Sequence, residues 1–327
     1  MISVVGGSGF IGTRLCQDLS DRQVPFEIID LKASSRFPDK TKIADIRDIS
    51  ALSSSISGNK IIHLAAVHRD DVRDKSLYYS TNVEGTRNIC AVAEERGIED
   101  IVFTSTVAVY GFAKESTGED GKIDPFNDYG KSKFEGEETL RAWQAAKGRN
   151  NLTIIRPTVV FGEGNRGNVY NLLRQISSGF FVMVGKGTNR KSMAYVGNVS
   201  EFLRCATETG SGYRLYNYVD KPDFDMNTLV ELVRNRLRDK TGTGFRLPYW
   251  IAFGLGFIAD VVAALTGKSF VISRIRVKKF SASTMFASAA DQMEGFAAPY
   301  TLEDALARTL KAEFIDPDPA REVFYTE

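Results

Sequence analysis

Tyr129-Gly130-Lys131-Ser132-Lys133 sets a phenol and an ammonium four residues apart. On a helix that spacing puts both on one face, one turn apart. An unperturbed phenol ionises near pH ~10 and is a weak base at neutrality. A neighbouring cation favours the phenolate, so the pair is a positioned acid/base. Far upstream, Gly6-Gly7-Ser8-Gly9-Phe10-Ile11-Gly12 follows directly on the apolar run Ile2-Ser3-Val4-Val5. Gly6 permits a tight turn out of a strand, Gly9 lets backbone approach a pyrophosphate, and Gly12 lets the next helix pack close to the sheet. Ile11, Leu15 and Leu19 recur at helical spacing, and that helix would aim free N–H groups and its positive dipole end at the phosphates. A phosphate cradle followed by a positioned acid/base reads as hydride chemistry.

The glycine spacing is Gly-x-x-Gly-x-x-Gly, and its weight comes from context. Phe26-Glu27-Ile28-Ile29-Asp30 supplies a second strand with an acid at its end. Asp30 is suited to bind a ribose 2′-hydroxyl and to repel a 2′-phosphate, which favours NAD over NADP. Lys32 and Arg36 follow closely and pull the other way.

The set of motifs resembles the extended short-chain dehydrogenase/reductases of the nucleotide-sugar epimerase/dehydratase kind. The resemblance rests on Gly6 to Gly12, Asp30, Asp45-Ile46, His63-Leu64-Ala65-Ala66, Asn82-Val83-Glu84-Gly85-Thr86 and Thr104-Ser105-Thr106 with Val109-Tyr110-Gly111. Tyr129-x-x-x-Lys133 and Arg156-Pro157 complete it. It covers residues 1–220 with specific motifs and is looser beyond. It implies that Tyr129 is the general acid/base, that Lys133 lowers its pKa and bonds the nicotinamide ribose, and that Thr106 hydrogen-bonds the reacting substrate oxygen. By the same resemblance Asp45 and Ile46 meet the adenine, and Leu64, Ala65, Ala66, Asn82, Thr104 and Pro157 lie along the NAD. Dehydratases of this kind carry one or two acids directly after the threonine, to protonate the leaving hydroxyl. Here Val107 and Ala108 stand there and have no proton to give, so dehydration is disfavoured and Val107 becomes a substrate wall. The expected activity is an NAD-dependent C4 epimerase of a nucleotide-diphosphate sugar, a UDP-hexose or UDP-N-acetylhexosamine, working through a 4-keto intermediate. The alternatives are a 4-keto-sugar reductase, a hydroxysteroid-type dehydrogenase and a non-catalytic dinucleotide sensor. The last usually lacks the tyrosine or lysine.

Two later loops offer anion donors. Gly162-Glu163-Gly164-Asn165-Arg166-Gly167-Asn168 presents Asn165, Arg166 and Asn168 toward a sugar diphosphate, and arginine can grip phosphate with two N–H groups. Gly185-Lys186-Gly187-Thr188-Asn189-Arg190-Lys191 is a second basic turn, contributing Arg190. The family commonly has Arg-Asp-Phe after such a turn, where this chain has Lys191-Ser192-Met193. His63 reads equally as a satisfied strand-end histidine, and His68-Arg69-Asp70-Asp71 as substrate contact or solvated loop.

Positioning these groups requires alternating strands and helices. Strands read at 2–5, 25–30, 60–64, 101–105 and 152–156, and helices near 10–20, 72–96 and 129–147. The alternation predicts an α/β fold with a parallel sheet covered on both faces, and the resemblance makes it a doubly wound Rossmann sheet with a smaller C-terminal substrate lobe. The NAD domain is expected over 1–162, with strands near 193–196 and 214–218 returning to it. The lobe is expected over 163–192 and 221–327. A homodimer is expected on a four-helix seam that the family uses, here Val83, Ile89, Val92 and Ala93 with the Tyr129 helix. With 42 basic and 41 acidic residues the chain carries no global nucleic-acid footprint. Cys16, Cys90 and Cys205 lack paired spacing, and only two histidines are present, so neither a disulfide framework nor a metal site is expected. That chemistry and a first strand starting at Ile2 point to the cytoplasm. Pro248 to Leu265 is nearly apolar, is interrupted by Asp260 and is flanked by Lys240, Arg246, Lys268, Arg274, Arg276, Lys278 and Lys279. It reads as a buried lobe helix, an interfacial helix on a membrane or a dimer surface.

Overall fold

The computed structural model describes residues 1–69, 72–113, 116–266 and 274–326, with backbone alone at 258, 261–266, 276 and 279. Asp70, Asp71, Lys268 and the side chains of Leu265, Arg276 and Lys279 therefore lie outside it. The first half alternates as expected: β1 (Ile2–Val5), α1 (Phe10–Asp21), β2 (Phe26–Asp30), β3 (Thr41–Ile43), α2 (Ile49–Ser55), β4 (Lys60–His63), α3 (Ser76–Tyr79), α4 (Gly85–Arg96), β5 (Asp100–Thr104), α5 (Asp128–Ala146) and β6 (Asn151–Pro157). The second half adds β7 (Val159–Phe161), α6 (Asn168–Ser177), β8 (Met183–Val184), β9 (Arg190–Tyr195), α7 (Val196–Ala206), β10 (Gly212–Tyr218), β11 (Asp220–Asp225) and α8 (Met226–Arg238). It ends with β12 (Arg246–Leu247), α9 (Tyr249–Thr266), α10 (Arg274–Ser281) and α11 (Leu302–Leu310).

Seven strands form one parallel sheet in the order β10-β6-β5-β4-β1-β2-β3. Its strands are apolar runs because both faces are covered; β1 and β6 are buried throughout. On one face α1 and α7 bury Leu15, Leu19, Val199, Phe202 and Leu203 against Val4, Ile28 and Ile155. On the other, α4 and α5 bury Ile89, Val92, Leu140 and Trp143 against Ile61, Ile101 and Ile154. Fully burying one such side chain is worth about 1.5–3 kcal/mol.

Two expectations change here. The strand near 193–196 does not join the main sheet. As β9 it lies between β7 and β11 in a separate three-stranded sheet, parallel to the first and antiparallel to the second. The strand near 214–218 does return, as β10 paired with β6. The expected dimer-seam residues Val83, Ile89, Val92 and Ala93 are all buried in this chain, the last three in the core against the sheet. These side chains are spent inside the chain. The periodicity of Ile89, Val92 and Ala93 records the sheet-facing side of α4, and Val83 lies in the turn before it.

The smaller lobe has its own core, in which Phe161, Leu173, Met193 and Tyr195 meet Leu229, Val230 and Leu306. Strand order reverses where β1 and β4 lie side by side between outward-running halves. Ligands of open α/β sheets bind beyond the strand ends at such a point.

Candidate active site

A cleft of about 1090 Å³ opens there, walled by the sheet's carboxyl ends and roofed by lobe residues. Its floor is the glycine turn. Gly6 has φ +84°, and a Cβ on it would lie 2.4 Å from the Ala65 nitrogen, so the turn and the β4 loop can touch only through glycine. At Gly9 a Cβ would meet nothing nearer than the Gly6 carbonyl at 3.4 Å; it would project into space left open for a ligand. The first turn of α1 carries no side-chain cap, so its N–H groups remain available to an anion.

Beside that floor, Asp30 at the end of β2 accepts from the Ser8 amide at 3.0 Å and the Lys32 amide at 3.3 Å. The Lys32 ammonium stands over the Phe324 ring, 5.8 Å from its centroid. Asp45 and Ile46 line the same end, and paired hydrogen bonds from Arg47 hold the Asp45 carboxyl below its usual range. Phe10, Ile11, Gly12, Leu64, Ala65, Ala66, Thr104 and Pro157 complete this wall, and the buried Thr104 hydroxyl has no partner among the described residues. These features fit an adenine dinucleotide: a glycine cradle, a helix N-terminus and a carboxylate at the end of β2.

Opposite stand Thr106, Tyr129 and Lys133, brought to one cleft from two elements. Asn127 caps α5 by accepting from the Gly130 amide at 2.9 Å, which fixes the first turn carrying Tyr129. Thr106 lies in extended backbone after β5, and its hydroxyl accepts from the Ala108 amide at 3.1 Å. Lys133 is 1% exposed, with its ammonium 4.0 Å from the Phe103 ring centroid. Burial pushes its pKa down to about 7, opposed by Glu137 one turn further along α5.

Beneath the pair runs a buried network that the motifs only half disclosed. Glu137 accepts from Ser105 Oγ at 2.5 Å and from Arg156 Nε at 2.8 Å, with Arg156 Nη2 at 2.5 Å. Arg156 donates to the Tyr110 hydroxyl at 2.7 Å, which donates to Asn217 at 2.8 Å. The signal was present: Glu137 follows Lys133 by one turn, and Arg156-Pro157 and Tyr110 were already motif residues.

Val107 and Ala108 also line the cleft, and the carboxylates lining it among the described residues are Asp30 and Asp45, both on the glycine-turn side. Among the described residues, no acid lines the cleft beside Thr106 to expel a hydroxyl.

Four expected contacts are not brought to the cleft. Asn82 is buried, its amide spent on Val67 and Ser132, so it ties the β4 loop to α5. Arg166 pairs with Glu313 at 2.5 Å and stacks over Tyr170, facing the lobe. Asn168 starts α6 beside a separate small cavity, and Arg190 starts β9 at the cleft's edge without lining it. Asn165 does line the cleft; its amide donates to the Val160 carbonyl at 3.0 Å and accepts from Thr326 at 2.8 Å. Of the histidines, His63 is buried, touches Thr86 at 3.1 Å and is held neutral by burial. His68 is exposed at the cleft's edge.

No motif announced the cleft's last wall, the tail Val323–Thr326. Phe324 bridges to the Gly162–Asn168 loop, accepting from the Arg166 amide at 2.8 Å and donating to the Gly164 carbonyl at 2.9 Å. Its ring packs 5.8 Å from Phe10, on the glycine turn. A short extended tail has no periodicity to read.

Residues 2–218 match the NAD dependent epimerase/dehydratase family. The chain belongs to that family. It is 48% identical over 318 residues to the N-acetyl-alpha-D-glucosaminyl-diphospho-ditrans,octacis-undecaprenol 4-epimerase of Escherichia coli O157:H7, covering 96% of this chain and 95% of that one. It is 28% identical over 299 residues to the UDP-glucose 4-epimerase of Vibrio cholerae, covering 81% and 85%. Among solved structures, the UDP-N-acetylglucosamine 4-epimerase of Bacillus cereus superposes with a TM-score of 0.73 at 17% identity, covering 94% and 97%. The UDP-glucuronic acid 4-epimerase of the same organism, in complex with NAD, gives 0.67 at 18% identity, covering 94% and 96%. This family member is thus an NAD-dependent enzyme with an epimerase fold.

Proposed function

We propose that this enzyme inverts C4 of an N-acetylhexosamine carried on a diphosphate, and that the carrier is a polyprenyl lipid. The observation that carries the reading is the gathering of Thr106, Tyr129 and Lys133 in one cleft with the glycine turn and Asp30. The full-length relative at 48% identity supports both the reaction and the carrier. The expectation of a UDP-sugar rests on weaker relatives and shares the same sugar-diphosphate chemistry.

In this reading Asp30, Asp45 and Ile46 would hold the adenosine half of NAD, and the turn at Gly9 would hold its pyrophosphate. When bound, NAD supplies reversible acceptance and return of a hydride at the sugar C4. Tyr129 takes the C4 hydroxyl proton and later gives it back to the 4-keto oxygen. Thr106 donates to that oxygen and holds it in line with Tyr129. Lys133 titrates near neutrality; when protonated, its charge stabilises the Tyr129 phenolate. The Glu137–Arg156 pair locks α5 to β6 and keeps both groups aimed at one point. The apolar Val107 and Ala108 leave room for the keto sugar to turn its other face. With Val107 and Ala108 directly after Thr106, and no acid beside it among the described residues, the C5–C6 elimination of a dehydratase finds no proton donor there.

The test is to incubate purified protein, without added NADH, with a short-chain polyprenyl-diphospho-N-acetylglucosamine and with UDP-N-acetylglucosamine, and to read products by NMR. The reading expects the lipid-linked galacto epimer at equilibrium with its substrate. A product formed only with added NADH, in step with its oxidation, would point to the 4-keto-sugar reductase. Turnover of the UDP-sugar alone would return the carrier to a nucleotide.

A further inference from the structure

The most exposed apolar surface lies outside the cleft, on the lobe. Phe180, Val182 and Phe245 are exposed at the entry to the β8–β12 ribbon, where Met183 and Gly185 donate to Phe245 and Leu247 at 3.0 and 2.9 Å. The ribbon feeds α9, whose first three turns expose Tyr249, Trp250, Phe253, Leu255 and Phe257. Trp250 is 74% exposed, and Tyr249 stacks on Phe253 at 5.8 Å rather than turning inward. Ile275 on α10 is exposed too. Of the three readings of Pro248–Leu265, this rules out the buried helix over its described part.

Charge marks the kind of partner. The whole chain is formally +1, yet residues 238–281 hold eight lysines and arginines against two acids, Asp239 and Asp260; five of the eight, Arg238, Lys240, Arg246, Arg274 and Lys278, have described side chains. Asp260 is already engaged by Arg274 at 3.0 Å, and Arg274 also covers Phe257 at 4.8 Å. Lys278 is exposed. A protein partner matching this face would need a large acidic and apolar complement. An anionic bilayer offers both in one surface, and Trp and Tyr at the start of a helix favour the headgroup boundary. No helix among the described residues is long and apolar enough to cross a membrane, so α9 would lie along it.

The patch is wired to the cleft. Phe280, at the end of α10, accepts from Asn189 at 2.8 Å. A few residues on, Thr284 donates to Arg190 and accepts from Ser192, both at 2.9 Å. Ser192, Thr284 and Phe286 line the cleft. Residues 280–286 thus lead from α10, which packs on α9, to the lining of the cleft.

We propose that the β8–β12 ribbon, α9 and α10 form a docking face for an anionic lipid bilayer, with Trp250 in the headgroup–acyl boundary and the cleft opening beside it. The purpose of the face rests on the lipid-linked reading above; its existence is tested without any sugar. The chain has two tryptophans, and Trp143 is 4% exposed in the core, so Trp250 reports contact. Full-length protein is mixed with phosphatidylglycerol/phosphatidylethanolamine vesicles, with phosphatidylcholine vesicles, and with brominated-chain versions of the first. The expected result is co-sedimentation with the anionic vesicles, a blue shift of Trp250, quenching by bromine and release at high salt. Lys278→Gln should weaken association about fivefold, the worth of one basic residue at such a surface. Trp250→Asp should abolish quenching while NAD binding and mass by light scattering stay unchanged. No partition at low salt, or partition without quenching, would overturn the proposal. So would a Trp250→Asp variant whose mass by light scattering falls, since the face would then belong to a second copy. Activity on the lipid-linked sugar in detergent is scored separately, so loss of that reading leaves the vesicle result standing.

Discussion

Tyr129 and Lys133 illustrate how residue type and spacing led to chemistry, and what burial then added. The four-residue spacing placed both in one cleft, as expected. The spacing could not say that the lysine is buried and that its pKa falls to about 7. Tyr129→Phe should keep the fold and NAD and lose turnover by roughly a hundredfold or more, the usual worth of a positioned acid/base. Equilibrium NAD fluorescence and initial rates check both halves. Lys133 makes a pH prediction. Its folded pKa lies below its unfolded value of 10.5, so the unfolded chain holds the extra proton between about pH 7 and 10.5. This group therefore costs stability fully below pH 7, and that cost fades as pH rises through the window. Lys133→Met, almost inactive, should melt higher than the parent at pH 6.5 and show a smaller difference at pH 10. An equal or lower melting point at pH 6.5 would remove the buried-charge explanation. The expected contacts Arg166 and Arg190 went astray for a physical reason: a basic residue in a loop announces charge but not direction. Arg166 found Glu313, a partner distant in sequence.

At the scale of elements, five of the main sheet's seven strands and the helices near 10–20 and 129–147 were legible because apolar periodicity and glycine turns are local signals. β10 came from the resemblance, β3, three residues long and mostly exposed, was not read, and the stretch 72–96 is broken into α3, a π turn and α4. β9 was assigned to the wrong sheet because pairing is not local; an apolar stretch after a basic turn does not record which neighbour it meets. The stripe on α4 was real but faces its own sheet. The joint between α5 and β6 rests on Glu137 and Arg156, both essentially unexposed. Glu137→Gln leaves the Arg156 charge buried and uncompensated and should cost about 3–5 kcal/mol, measured by urea denaturation. A loss under 1 kcal/mol would mean water reaches the pair. The tail is the element the sequence concealed. Ending the chain at Arg321 removes the Phe324 contacts to Phe10 and to the Gly162–Asn168 loop. The truncated protein should release NAD faster with little change in melting temperature. Unchanged release would reduce the tail to a passive cover.

Across the whole molecule, two sheets meet at one cleft: the parallel sheet holds the cofactor side and Tyr129, and the smaller lobe closes the sugar side. The resemblance in the first 220 residues carried the fold and the reaction, and the family match ends at residue 218. Beyond it, sequence showed only an apolar run with basic borders, whose exposure had to be seen. The central claim is that hydrogen leaves C4 and returns to the same carbon, with Tyr129 handling the hydroxyl proton. The measurement that tests it most directly is epimerisation of the lipid-linked N-acetylhexosamine in deuterium oxide, without added NADH, read by NMR of the product sugar. The account predicts an epimer that carries protium at C4 and incorporates no solvent deuterium at any ring carbon. Deuterium at C4, or no product until NADH is supplied, would contradict it.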